Sequence, residues 1–218
     1  MPETIPWDQR LARALVPALA RAGVGPNTVS TVSLLLAVGA GVLYALGDRA
    51  ASNWAAGFFV LARFIDHADG ELARRTGRSS RFGYYYDYVV GALSSVALFA
   101  GMGLGLRAGG LGEWALGMGL AAGALALVGM VLGLVVDARG NGEAGGYPGA
   151  GGFELEDGIY LVAPITWLGG ILPFFVCATT GQAIFSAWML ARVVRTRDAR
   201  VSPGTSDPAR PAASPRPG

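Results

Sequence analysis

The feature that most limits how this chain can fold is a succession of nearly uncharged apolar windows. Windows of roughly 18 residues or more, wound as helix, cover a lipid hydrocarbon core of about 30 Å. Six spans are read: Thr28–Leu46, Ala51–Arg74, Phe82–Leu106, Leu111–Val136, Asp157–Cys177 and Thr179–Val194. The chain is 52% hydrophobic and 15% charged, with a mean hydropathy of +0.44, which strains any soluble reading. The expected fold is an all-α integral membrane bundle of six transmembrane helices. Pro164 and Pro173 are expected to kink the fifth span, which neighbouring helices can accommodate.

An N-terminal helix over residues 7–22 precedes the spans, with Trp7, Leu11, Leu15, Ala18 and Leu19 recurring at helical spacing beside Asp8, Arg10, Arg13 and Arg21. Such a helix can lie in the interface plane or simply cap the bundle. The turn Gly25-Pro26-Asn27-Thr28 ends it, with Asn27 or Thr28 able to cap the next helix. Three regions follow: a juxtamembrane segment over 1–27, a six-helix domain over 28–195 and a tail over 196–218. The tail is rich in Pro, Ser and Arg and is expected to be disordered, and the Gly-rich stretch 138–152 flexible.

All 17 basic side chains are Arg. Arg10, Arg13, Arg21, Arg74, Arg75, Arg78, Arg81, Arg139 and the six C-terminal arginines fall on one side of the bundle, and only Arg49 and Arg107 on the other. The positive-inside rule then puts both termini in the cytoplasm, in a cytoplasmic membrane of bacterial type. The net charge of +2 is too small to argue for nucleic acid, and Cys177 has no internal disulfide partner. No cleavable signal peptide is read. Gly101, Gly105, Gly119, Gly123, Gly129 and Gly133 form small-xxx-small pairs that allow helices to approach closely.

The chemistry concentrates in Arg63-Phe-Ile-Asp66-His67-Ala-Asp69-Gly70-Glu71-Leu-Ala73-Arg74 and Phe82-Gly83-Tyr84-Tyr85-Tyr86-Asp87. Asp66 and Asp69 share a helix face, and Asp87 opens the next span at the same level. Acids at membrane depth cost roughly 2.5–3.5 kcal/mol each. Two like charges about 4 Å apart repel by about 4 kcal/mol at an effective dielectric of about 20. A divalent cation removes both penalties, and all-oxygen ligands favour Mg²⁺, Mn²⁺ or Ca²⁺ over zinc. Gly70 and Ala73 leave room for a ligand, and Arg74 can pair with a phosphate. The bland alternative is that the acids merely pair with Arg63, Arg74, Arg75, Arg78 and Arg81.

The pattern Asp66-x2-Asp69-Gly70-x2-Ala73-Arg74-x8-Gly83-x3-Asp87 resembles the signature of the CDP-alcohol phosphatidyltransferases. The resemblance implies transfer of a phosphatidyl or similar group from a CDP-linked lipid, such as CDP-diacylglycerol, to an alcohol, with release of CMP. It implies that Asp66, Asp69 and Asp87 hold Mg²⁺ or Mn²⁺, and that Gly70, Ala73, Arg74 and Gly83 form the CDP pocket. The partners are then a CDP-linked lipid, a small alcohol, the bilayer and a second copy of the chain.

One position departs from the signature. The family's fourth Asp, a general base or metal ligand, is Gly91 here. Three substitutes are considered for the base. His67 points about 100° away from Asp66 on an ideal helix and reads as a neighbour. Glu156 and Asp157 open the fifth span, where capping is an alternative role. The resemblance implies basic residues in this region for a phosphorylated acceptor, so the run Glu154-Leu-Glu156-Asp157, with only Arg139 nearby, favours a neutral or amine-bearing alcohol over glycerol phosphate or inositol phosphate. Gly91 also raises the alternative of a catalytically impaired homologue that binds CDP-lipid. A transporter or helical scaffold is a third class, against which Ala73, Arg74 and Gly83 argue.

Overall fold

The structure, a computed structural model, describes residues 7–139, 149–150 and 153–201, with side chains for 14–138 and 158–195. The described helices are α1 (Trp7–Arg21), α2 (Pro26–Ala45), α3 (Arg49–Thr76), α4 (Arg81–Leu106), α5 (Glu113–Arg139), α6 (Val162–Trp167) and α7 (Ile171–Val201). A 3₁₀ helix, Leu155–Leu161, leads into α6. Among the described residues the one departure from an all-α chain is a two-residue antiparallel pairing of Gly149–Ala150 with Phe153–Glu154. The expected flexible stretch and tail fall mostly outside the described residues.

Four helices, α2, α4, α5 and α7, are long and apolar enough to cross a membrane, which makes this an integral membrane protein. α3 is as long, but its second half carries the charges of the motif. Exposed Trp54, Trp114 and Trp167 stand at one end of the bundle and exposed Phe82, Tyr84 and Tyr85 at the other. Aromatic rings favour the two interfaces of a bilayer, and the length of α4 separates these belts by about 36 Å.

The first four spans match α2 to α5 within three residues at each end. Local chemistry sets these limits. The Asp48 side chain accepts from the Ala51 backbone N–H at 2.8 Å and starts α3. Gly77, at φ 65°, ends it, with the N–H groups of Gly77 and Arg78 turned back to Arg74 and Ala73. Ser80 accepts from the Gly83 N–H at 2.9 Å and starts α4. The expected side-chain cap by Asn27 or Thr28 is not made: Gly25 is the N-cap of α2 and Pro26 its first residue, where a missing N–H costs nothing.

The last two spans differ from the sequence reading. Asp157–Cys177 is not one helix, and no break occurs between Cys177 and Thr179. The chain breaks at Gly169 (φ 84°) and Gly170, and α7 runs unbroken through Thr179. Pro164 and Pro173 each sit at the third residue of a helix, in the first turn where no intrahelical N–H bond is due, so neither kinks a span. The hydroxyls of Thr179 and Thr180 donate back to the carbonyls of Phe175 and Val176 and stay within the helix.

α2 lies between α3 and α4 and packs along both. The central cluster is built from small residues (Ala37, Ala40, Ala55, Ala56, Ala62) around Tyr44, Phe59, Leu98 and Met102. α6 runs antiparallel to α3: Tyr160, just before it, meets His67, and Trp167 donates its indole N–H to the Asn53 carbonyl at 3.0 Å. α1 packs on the motif half of α3, with Val16 buried against Val29, Ala68 and Leu72.

Glycine closes two of these seams. A Cβ on Gly101 would strike the Gly41 carbonyl of α2, and one on Gly119 the Phe99 carbonyl of α4. By contrast, a Cβ on Gly129 would meet only side-chain atoms, at 4.0 Å. Gly101→Val is therefore expected to destabilise the protein by about 1–3 kcal/mol or more. Gly129→Ala should change stability by less than about 0.5 kcal/mol. Unfolding in mixed detergent micelles checks both, and equal effects would contradict the packing.

Candidate metal centre and active site

The hairpin of α3 and α4 matches the depths of the motif acids. Asp69 lies seven residues before the end of α3 and Asp87 six after the start of α4, each about 10 Å from its helix terminus. Asp66, Asp69 and Asp87 thus offer one carboxylate oxygen each, all within 4.8 Å of one another. All three expected metal ligands are brought together.

Two serines of α2 prepare the cluster. The Ser30 hydroxyl donates to Asp69 Oδ2, and the Ser33 hydroxyl faces both the Ala62 carbonyl, at 3.0 Å, and Asp66 Oδ1, at 3.2 Å. Serine at i, i+3 meets aspartate at i, i+3 because α2 and α3 run antiparallel. Sequence reasoning passed over both serines, and that shared spacing was the signal available. Arg63, one turn before Asp66, donates from NH1 to Oδ2 at 2.6 Å. Asp69 is the most enclosed of the three, 5% exposed.

Hard oxygen donors at this spacing suit Mg²⁺ or Mn²⁺, which bind carboxylates and keep waters that a diphosphate can replace. A divalent ion held here would withdraw charge from phosphoryl oxygens during transfer. The protein's own part is to hold the three carboxylates together and orient them through Ser30, Ser33 and Arg63.

Of the residues expected around the nucleotide, Gly70, Ala73 and Arg74 continue α3 beyond Asp69, and Gly83 lies one turn before Asp87 in α4. Arg74 NH1 lies 3.6 Å from where a Gly70 Cβ would stand, so the guanidinium lies over the bare backbone at Gly70. Arg74 also pairs with Glu71 at 3.0 Å and is largely exposed, able to swing towards an anion. At Gly83 a Cβ would come 3.1 Å from Asn27 Oδ1, so Gly83 lets α2 approach the start of α4. A groove of about 420 Å³ opens there, lined by Ser79, Ser80, Arg81, Tyr84 and Tyr85. Another cavity, of about 280 Å³, lies at the opposite end of the bundle near Asp48 and Thr166, away from the carboxylates.

The base candidates fare differently. His67 Nδ1 lies 2.8 Å from the Arg63 carbonyl, to which it donates, and 3.2 Å from the Tyr160 hydroxyl. It is thus turned to the segment before α6, while Asp66 and Asp69 meet α2. The side chains of Glu156, Asp157 and Arg139 lie outside the described residues. At Gly91 a Cβ would meet nothing within 4 Å. Sequence reasoning also missed Asp137 at the end of α5, which accepts from the hydroxyls of Tyr84, at 2.7 Å, and Tyr88. The i, i+4 tyrosines were its only trace in the sequence.

Over 215 residues the chain is 32% identical to the phosphatidylinositol phosphate synthase of Mycolicibacterium smegmatis, covering 95% of this chain and 92% of that one. An archaetidylinositol phosphate synthase of Pyrococcus horikoshii is 30% identical over 44% of this chain and 47% of its own. The fold is shared with crystal structures of the Mycobacterium tuberculosis phosphatidylinositol phosphate synthase at 23% identity. One, with CDP-DAG bound, has a TM-score of 0.57 over 94% of this chain and 100% of that one. Another, with manganese and citrate, has a TM-score of 0.55 over 94% and 93%. The profile of the CDP-alcohol phosphatidyltransferases matches residues 24–168, from the turn before α2 to the end of α6, and the chain belongs to that family of membrane transferases of phospholipid biosynthesis.

Proposed function

We propose that the protein transfers the phosphatidyl group of CDP-diacylglycerol to a hydroxyl of an inositol phosphate at the cytoplasmic face of the membrane. The acceptor oxygen bonds to the phosphorus that carries the lipid, the phosphoanhydride bond to CMP breaks, and the acceptor proton passes to a base. The observation that carries the reading is the convergence of Asp66, Asp69 and Asp87 from two helices, with Arg74 one turn beyond Gly70. In this proposal the three aspartates hold the metal, and Gly70, Ala73, Arg74 and Gly83 receive the CDP moiety. Glu156 and Asp157 are the candidate bases; the orientation of His67 argues against it.

The two curated relatives, a phosphatidylinositol phosphate synthase and an archaetidylinositol phosphate synthase, support the inositol phosphate acceptor. A second reading, a neutral or amine-bearing alcohol, is favoured by the acidic run Glu154-Leu-Glu156-Asp157. Purified protein with CDP-diacylglycerol and Mn²⁺ is to be given inositol phosphate, inositol, glycerol phosphate or serine while CMP is assayed. Release with inositol phosphate at least about tenfold above the others is expected, since unpaired polar groups in a matched site strongly disfavour an analogue. Release with inositol or serine alone would favour the second reading. CMP at background throughout, with CDP-lipid still bound, would make the chain a binding protein.

The proposal includes six crossings, with the 3₁₀ helix and α6 together forming the short fifth, both termini in the cytoplasm, α1 at the interface and a homodimeric assembly. The Arg asymmetry and the antiparallel course of α6 along α3 support the topology. Cysteines at Ser79 and Ala108, both exposed, in a background lacking Cys177, are expected to label from opposite sides of the membrane. Labelling of position 79 from outside the cell would overturn the cytoplasmic site.

A further inference from the structure

We propose that Arg63 is a built-in cation of the carboxylate centre, occupying one side of Asp66 so that the cluster takes a single divalent ion. The inference rests on the reading of Asp66, Asp69 and Asp87 as metal ligands. Arg63 stands one turn deeper in α3 than Asp66, and its NH1 reaches Asp66 Oδ2 at 2.6 Å, with the two side chains 19% and 10% exposed. This is a short, charge-assisted hydrogen bond, and a guanidinium keeps its charge at any physiological pH. The other Asp66 oxygen lies 3.2 Å from the Ser33 hydroxyl, whose one proton is shared with the Ala62 carbonyl at 3.0 Å, and Asp69 Oδ2 accepts from Ser30. An ion drawing on Asp66 Oδ2 must therefore share it with a charged donor of the protein.

Charge points the same way. A guanidinium held against Asp66 offsets part of the negative charge that the three carboxylates offer a cation. A second ion would stand beside that fixed positive charge in a partly enclosed site, where like charges repel strongly. Position 91 adds no ligand, being glycine with open space before it. Fixed positive charge stands beside Asp66, and no carboxylate stands at 91 to offset it. Arg63 acts through Asp66 and is a positioning residue.

The test uses the full-length protein, stripped of metal in detergent and titrated with Mn²⁺ alone. Free Mn²⁺ is read by electron paramagnetic resonance, and bound Mn²⁺ by its low-temperature spectrum. One Mn²⁺ per chain with the six-line spectrum of an isolated ion is expected. Arg63→Gln should bind Mn²⁺ about tenfold more tightly, because a repelling charge is gone, while Arg63→Lys stays within about threefold of wild type. A residue needed only for packing would leave affinity unchanged or lower it. Two ions per chain, an exchange-coupled spectrum, or Arg63→Gln binding no more tightly than wild type would overturn the proposal. Should Arg63→Gln fail to fold, the stoichiometry and spectrum of the wild type decide alone. Undiminished binding by Asp69→Asn would place the ions elsewhere and overturn the ligand assignment as well. Two ions lost with Asp69 would overturn only the role of Arg63.

Discussion

Asp69→Asn is expected to lower metal-dependent CMP release by at least about 10²–10³-fold while the protein stays inserted in the membrane. The substitution keeps the shape of the side chain and an oxygen that can accept from Ser30, so the packing of α2 on α3 survives. What it removes is one of the three charges that a cation would offset. Metal stabilisation of a phosphoryl transition state is worth several kcal/mol, and each 1.36 kcal/mol is tenfold in rate. Burial sharpens the effect at this position, because Asp69 is 5% exposed and water cannot readily stand in as a ligand. CDP-lipid affinity should fall in EDTA for the wild type and respond far less for the variant. Nucleotide affinity that is the same with and without EDTA in the wild type would remove the metal from the binding step.

The other large effect concerns proton removal. With glycine at 91, the acceptor hydroxyl needs a base from elsewhere, and the acidic segment before α6 is the proposed source. Neutralising it with the pair Glu156→Gln and Asp157→Asn is expected to reduce turnover by about 10²–10⁴-fold, the usual worth of general-base assistance. Adding Gly91→Asp to that double variant should recover much of the loss. A Cβ there meets nothing within 4 Å, and one turn of α4 separates the position from Asp87. A carboxylate at 91 far from any cation would destabilise α4, so thermal unfolding is to be measured alongside CMP release. Full activity in the double variant would show that the metal alone lowers the acceptor proton's barrier.

The limits of α2 to α5 and the motif itself were legible because their causes are local. Asp48, Gly77 and Ser80 act within a turn of the helix ends they set, and the i, i+3 spacing of Asp66 and Asp69 puts them on one face wherever α3 goes. The hairpin then brings Asp87 to their level with little freedom left. Charge asymmetry reads equally directly, since it depends on which loops hold arginine.

Where α6 ends and α7 begins was decided by the tertiary structure. Residues 158–194 are apolar almost throughout, so hydropathy alone does not distinguish a break at Gly169–Gly170 from one near Cys177. Glycine supplies a positive φ there at no steric cost, and α6 docks against α3 through Trp167 and Asn53. The same holds for the partners of the acids. Ser30 is 39 positions from Asp69, and Asp137 is 49 from Tyr88. A hydrogen bond between helices depends on how they rotate and cross, and periodicity within one helix carries no information about either. The sequence by itself therefore determined which carboxylates form the centre. Only the packing of α2 against α3 and of α4 against α5 decided which hydroxyls hold that centre and tie the helices around it.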